Sequence, residues 1–271
     1  MTSVTSSQSL ERGLMILELV DQAHEPLGIR EIARQTGLST SIVQRIVNTF
    51  AAHNFLRQDE ATRRYVIGYR AFSLGSGVLQ KDRLLILAQE QLHMISQTYE
   101  LNGYLGTLHN DRALYLLCVQ SPGPVAIRNN PGELAYLHST AMGKVLLADL
   151  DDTSIRSILY SGPLFKATPS TIVEPERIIA QVKEIRDRGY ASVVDETILG
   201  VVSVGAPIRD VTGHARSAIS VAYAERSSPH LSIESVAPIV VSAAEKISRE
   251  LGWDARVQWP GAVRHRGTLL A

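Results

Sequence analysis

Residues 137–144 read LHSTAMGK and bring His138, Ser139, Thr140 and Lys144 into one short stretch. These are the parts of a nucleophilic hydrolase: a hydroxyl to attack, a base to take its proton and a group to orient the base. The spacing argues against that chemistry. On a helix starting near Ser139, Thr140 and Lys144 lie one turn apart, whereas Ser139 and Lys144 diverge by ~140° around the axis. The sequence contains no Gly-x-Ser-x-Gly elbow and no Ser-x-x-Lys spacing, and His138 has no carboxylate partner nearby in sequence. Asp195 and Glu196 are adjacent on or near an expected strand, which sends their side chains to opposite faces. The eight histidines and one cysteine form no HExxH or CxxC pattern, so no catalytic residue, metal or cofactor is expected. A second reading fits better. A helix N-terminus presents unpaired amides and a partial positive charge that favour a carboxylate, which makes Thr140, Ala141, Met142 and Gly143 a candidate ligand rim. Lys144, further along, is expected to be solvated or to face a partner subunit.

These residues need elements to hold them. A first helix is expected from Ser9 as N-cap, with Leu10, Leu14, Leu17 and Val20 at helical spacing. A short helix over 29–35 is followed by Thr36-Gly37-Leu38-Ser39, in which Gly37 suits a left-handed C′ position and Ser39 can cap the next helix. That third helix spans about 40–53. Its apolar stripe is Ile42, Val43, Ile46, Val47 and Phe50, and its opposite face carries Thr40, Ser41, Gln44, Arg45 and Asn48. Strands over 55–58 and 64–67 flank a loop and complete the order of a winged helix-turn-helix. Residues 71–99 read as helical, with weak interruptions at Gly75 and Gly77. Beyond them, strands are expected on either side of an Asn110-Asp111 turn, near 125–128, and at 191–194, 201–208 and 215–222. Helices are expected at 139–149, 152–160, 174–188 and 233–251. This order predicts an α+β fold, an antiparallel sheet with covering helices on one side.

The third helix divides its labour as a recognition helix must, with one face for the scaffold and one for base edges. Gln44 and Asn48, one turn apart, can read adenine, and Arg45 can read guanine or grip a phosphate. Ser39, Thr40 and Ser41 sit at the helix N-terminus, where free amides hold phosphate. Arg63 and Arg64 belong to the wing. The whole chain has no net charge, but residues 28–70 hold seven arginines against three acids, a local excess of +4 that draws phosphate backbones. Double-stranded operator DNA is the expected partner.

Two segment sets carry a family resemblance. The runs SLERGLMILELV, GIREIARQTGLSTSIVQRIVNTFAAHNFL and RRYVIG resemble the DNA-binding domain of the IclR-type bacterial transcription regulators. LHSTAMGKVLLA and RGYASVVDETILGVVSVGAPIRDVTGHARSAISVA resemble that family's second-domain segments, so the likeness covers about residues 9–251. It implies a C-terminal GAF-like α/β effector domain that binds a small organic acid or aromatic effector between a helix start and the facing strands. Carried over by motif, the candidates are Ala141 and Met142, then Asp195 and Ser203, then Ser220 and Ala222. Val193-Val194 stand where relatives often carry acids, so a more apolar pocket is expected. The resemblance also implies a homodimer or homotetramer. The expected organisation is a DNA-binding domain at 9–70, a linker helix at 71–82, an effector and oligomerisation domain at 83–253 and a flexible tail at 254–271. A second domain that only oligomerises, or an enzyme with an accessory helix-turn-helix, are the competing readings.

Composition sets the remaining bounds. No run approaches the roughly 20 apolar residues of a membrane helix. The N-terminal MTSVTSSQS lacks a signal pattern, and the single Cys118, in the apolar run ALYLLCV, fits a reducing compartment. A cytoplasmic protein without membrane contact is expected, with Cys118 serving as a small buried hydrophobe.

Overall fold

The computed structural model describes residues 7–123 and 125–254. The chain forms two compact units that divide between Lys81 and Asp82. The predicted tail from 255 onward lies outside the described residues.

The first unit packs helices α1 (Gln8–Gln22), α2 (Ile29–Thr36) and α3 (Thr40–Ala52) against a two-stranded wing, β1 (Leu56–Gln58) and β2 (Tyr65–Ile67). Ile16, Ile32, Val43 and Val47 are fully shielded from solvent, and Leu56 and Tyr65 bring the wing into the same core. Each such aliphatic side chain contributes about 1.5–3 kcal/mol by burial. The turn between α2 and α3 follows the sequence logic: Gly37 is left-handed at φ +69°, and Ser39 Oγ accepts from the Ile42 amide at 3.4 Å. The cap of α1 is Ser7, two residues before the expected Ser9. In the wing, the Asp59 carboxylate accepts from both the amide and the hydroxyl of Thr62 at 2.7 Å, closing the loop between the strands.

Residues 69–99 are two helices, α4 (Tyr69–Lys81) and α5 (Arg83–Tyr99). Gly75 and Gly77 stay inside α4, and the break falls at Asp82. Its carboxylate caps α5 by accepting from the Leu84 amide at 2.8 Å.

The second unit is built on one six-stranded antiparallel sheet in the order β5-β4-β3-β8-β7-β6. Its strands are β3 (Asn102–His109), β4 (Arg112–Val119), β5 (Leu134–Tyr136), β6 (Ala191–Val194), β7 (Val201–Ile208) and β8 (Ser217–Ala224). Helices cover both faces, a correction to the one-sided expectation. On one face α5 and α9 (Ile233–Glu250) bury Leu105, Val204, Ile219, Val221 and Tyr223. On the other, α6 (Ala141–Asp149), α7 (Asp152–Leu159) and α8 (Pro175–Arg188) pack on Tyr104, Tyr115, Ala218 and Ala222. The two-residue side-chain period assigns alternate β8 residues to the two cores.

The expected strand near 125–128 is absent. Asn102 occupies that backbone instead: its side chain donates to the carbonyls of Val125 and Ala222 and accepts from the amides of Ser121 and Ile127. With those groups satisfied by a side chain, the segment has no ladder to join, and β5 pairs with β4 in its place.

Candidate functional site

The first unit supplies a polar face. Ser39, Thr40, Ser41, Gln44, Arg45 and Asn48 are all exposed on or beside α3, opposite the buried Val43 and Val47. Gln44 Nε2 donates to Asn48 Oδ1 at 2.8 Å, so the two amides are held together on one turn. Arg63 sits at the wing turn with φ +59° and an exposed side chain. Arg64 is placed otherwise. Its guanidinium donates to the Pro26 carbonyl at 2.8 Å and pairs with Glu31 at 3.2 Å, which makes it a brace between wing and α2.

In the second unit a cavity of about 280 Å³ opens at the start of α6. Thr140, Ala141, Met142, Ser203, Ser220 and Ala222 all line it. Gly143 and Asp195 do not. Gly143 lies against Thr140, Leu137 and Tyr136 inside the capping turn. Asp195 is left-handed at φ +61°, outside strand geometry, and its carboxylate accepts from the Gly200 amide within its own loop. Val193 and Val194 are likewise absent from the lining.

The helix start is seated by two glycines. A Cβ at Gly205 on β7 would stand 2.9 Å from the Ala141 carbonyl carbon, and one at Gly106 on β3 would strike the Met142 sulfur. Bare backbone at those positions lets the start of α6 approach the sheet closely. Thr140 is the N-cap: its hydroxyl accepts from the Gly143 amide at 3.0 Å and donates to the Tyr136 carbonyl at 2.9 Å, so its own proton is spent. The Lys144 amide reaches the Thr140 carbonyl at 2.9 Å, which leaves the amides of Ala141 and Met142 without a partner among the described residues.

The facing wall was not read from the sequence. Tyr104, Tyr115 and Tyr136 line the cavity, with the rings of Tyr104 and Tyr115 tilted at 5.6 Å. The Tyr104 hydroxyl donates to the Ile127 carbonyl at 2.5 Å. Those of Tyr115, Ser203 and Ser220 meet no protein partner among the described residues and remain for an occupant. Burial pushes both phenols, Tyr104 and Tyr115, well above the ordinary tyrosine value, so they stay protonated donors. Position along β3 and β4 was the available signal, since the alternation that buries Tyr104 and Tyr115 follows once the hairpin is drawn. Among the described residues the lining carries no lysine, arginine or histidine and one carboxylate, Glu133, which is held by Asn130 at 2.6 Å.

Lys144 overturns its expectation. Its side chain is only 1% exposed, and its ammonium donates to Glu196 at 2.5 Å and to Gln181 at 2.9 Å. Burial pulls the ammonium below the usual lysine value, and the Glu196 carboxylate opposes that pull. Fifty-two residues separate the partners, so no local spacing announced the pair. His138 is also buried, with Nε2 donating to the Phe165 carbonyl at 2.9 Å, as a structural histidine.

Known proteins share these features. Residues 76–249 match the family described as bacterial transcriptional regulator IclR C-terminal, and residues 9–60 match the IclR helix-turn-helix domain. The chain is 28% identical over 241 residues to the HTH-type transcriptional regulator BhcR of Paracoccus denitrificans, covering 89% of this chain and 86% of that one. A solved IclR-type regulator from Alicyclobacillus acidocaldarius superposes with a TM-score of 0.80 at 22% identity, over 91% of this chain and all of that one. An IclR homologue from Microbacterium hydrocarbonoxydans, solved in complex with 4-hydroxybenzoate, gives 0.78 at 22% identity, covering 90% and 99%. These relatives are regulators rather than enzymes, and among the described residues no helix is long and apolar enough to cross a membrane. The chain belongs to the IclR family of DNA-binding bacterial transcriptional regulators.

Proposed function

We propose that this regulator changes its operator affinity when a small aromatic or other organic carboxylate occupies the cavity at the start of α6. The observation that carries the reading is the pairing of two unpartnered amides, Ala141 and Met142, with a wall of tyrosines and free hydroxyls in one cavity. The amides and the helix dipole suit a carboxylate, the tyrosine rings suit a flat apolar body, and Tyr115, Ser203 and Ser220 suit polar substituents. The complex of the Microbacterium homologue with 4-hydroxybenzoate supports that ligand class.

On the DNA side, α3 enters the major groove with Gln44, Arg45 and Asn48 toward base edges, while Ser39, Thr40, Ser41 and Arg63 meet phosphates. The regulator acts in the cytoplasm as a homodimer, or a tetramer of two dimers, because a symmetric protein matches a palindromic operator.

The test is a panel of benzoates and short organic acids. Ligand at 100 times its Kd adds about 2.7 kcal/mol to the unit that binds it. The same acid must shift the affinity for a palindromic duplex selected from a random pool, read by fluorescence anisotropy. A panel in which no acid raises the melting temperature or moves the anisotropy curve leaves the second unit as an oligomerisation module only.

A further inference from the structure

The loop between β6 and β7, residues 195–200, supplies Thr197 and Ile198 to the cavity wall. It is an unusual wall. Ile198 and Leu199 are 49% and 62% exposed, and Asp195 takes a left-handed backbone with its carboxylate accepting from the Gly200 amide. The loop is attached through the Glu196 carboxylate and through the carbonyls of Asp195 and Glu196. Glu196 pairs through Oε1 with Lys144 on α6, and Lys144 in turn reaches Gln181 on α8. Glu196 Oε2 accepts from the Ile172 amide at 3.4 Å. The Thr171 hydroxyl donates to the Glu196 carbonyl at 2.6 Å, and that of Thr168 to the Asp195 carbonyl at 2.5 Å.

Neither Lys144 nor Glu196 touches the cavity, yet both stand one step from it. Lys144 lies one turn beyond Thr140, Ala141 and Met142, and Glu196 directly precedes Thr197. A buried ion pair is seldom the most stable way to fill such a space, because both charges must be desolvated, whereas apolar side chains of similar volume often serve as well or better. What the pair supplies and apolar packing does not is a single fixed distance between α6 and the loop.

We propose that Glu196 is a positioning residue: its ion pair with Lys144 latches the 195–200 loop against the start of α6 and keeps the cavity walled. The role of that wall in effector binding rests on the function proposed above, while the latch itself stands on the apo protein. An occupant that touches both Ala141–Met142 and Thr197–Ile198 then bears on one rigid joint.

Hydrogen–deuterium exchange on the full chain tests this without any ligand. Glu196→Gln leaves a buried ammonium without its counter-charge and can misfold, so the deciding variant is the double Lys144→Met with Glu196→Leu, which removes both charges together. Peptides covering 168–172 and 195–201 should exchange at least tenfold faster than in the parent, while those of α9 and β3 exchange at the parent rate. Unchanged protection of the loop in the folded double variant overturns the latch, as does acceleration shared equally by α9 and β3, which marks a merely structural pair. A parent protein that responds to no acid sinks the effector reading and leaves this outcome untouched.

Discussion

At the scale of single residues, the division between what a sequence announces and what it hides follows distance along the chain. Ser39, Gly37 and Thr140 act through neighbours two to four positions away, and their roles as caps and turn could be read directly. Lys144 could not be read that way, because its partners Glu196 and Gln181 come from other elements. The Arg64 contacts are equally distant in sequence: Pro26 and Glu31 engage its guanidinium across the fold. The outcome for Arg45 differs from that for Arg64. The Arg45 guanidinium is exposed on α3 with no protein partner among the described residues. A bidentate pair between a side chain and a base is worth about 1–3 kcal/mol, so Arg45→Ala should weaken binding to the selected duplex by about 5- to 150-fold. Its thermal melting should match the parent. Arg64→Ala should instead lower the melting temperature of the first unit, and anisotropy beside calorimetry separates the two effects.

At the scale of elements, periodicity located most helices and strands, with β6 and β7 found to the residue. It failed where side chains rather than backbone partners decided the path, as where Asn102 replaced the strand expected near 125–128. Alternation along β3 and β4 marks Tyr104 and Tyr115 as buried but not what they face, since sheet order decides that, and strands β3 and β8 are neighbours across more than a hundred residues. The seating of α6 on bare backbone has a measurable consequence. Gly205→Ala places a methyl 2.9–3.0 Å from Ala141 and Met142, which forces the helix start off the sheet. The expected cost is about 1–3 kcal/mol, as in other overpacked cores. Denaturant unfolding should show it, and the thermal shift from any acid the parent binds should fall in parallel.

At the scale of the whole molecule, neutral overall charge conceals a basic stretch over residues 28–70, which suits an operator binder that does not coat DNA at large. Stability should also carry a pH signature. Burial lowers the His138 pKa from 6.5, with Lys144 and Arg112 adding to that direction and the Phe165 carbonyl opposing it. The unfolded chain therefore binds a proton at that position more readily than the folded one. Stability contributed by neutral His138 is present above about pH 6.5 and is lost as pH falls through the lower folded value. Denaturant unfolding from pH 7.5 to 5 should show the second unit weakening toward acid, and His138→Gln should flatten that slope. An unaltered slope in the variant would assign the acid sensitivity to other groups.

Strand β8 adds a consequence of another kind. Its residues alternate between Ile219, Val221 and Tyr223, which fill the core under α9, and Ala218, Ser220 and Ala222, which are small and face α6. One strand thus serves two masters through separate positions. Substitution at 220 and 222 can therefore resize or repolarise the cavity while the opposite core keeps its packing.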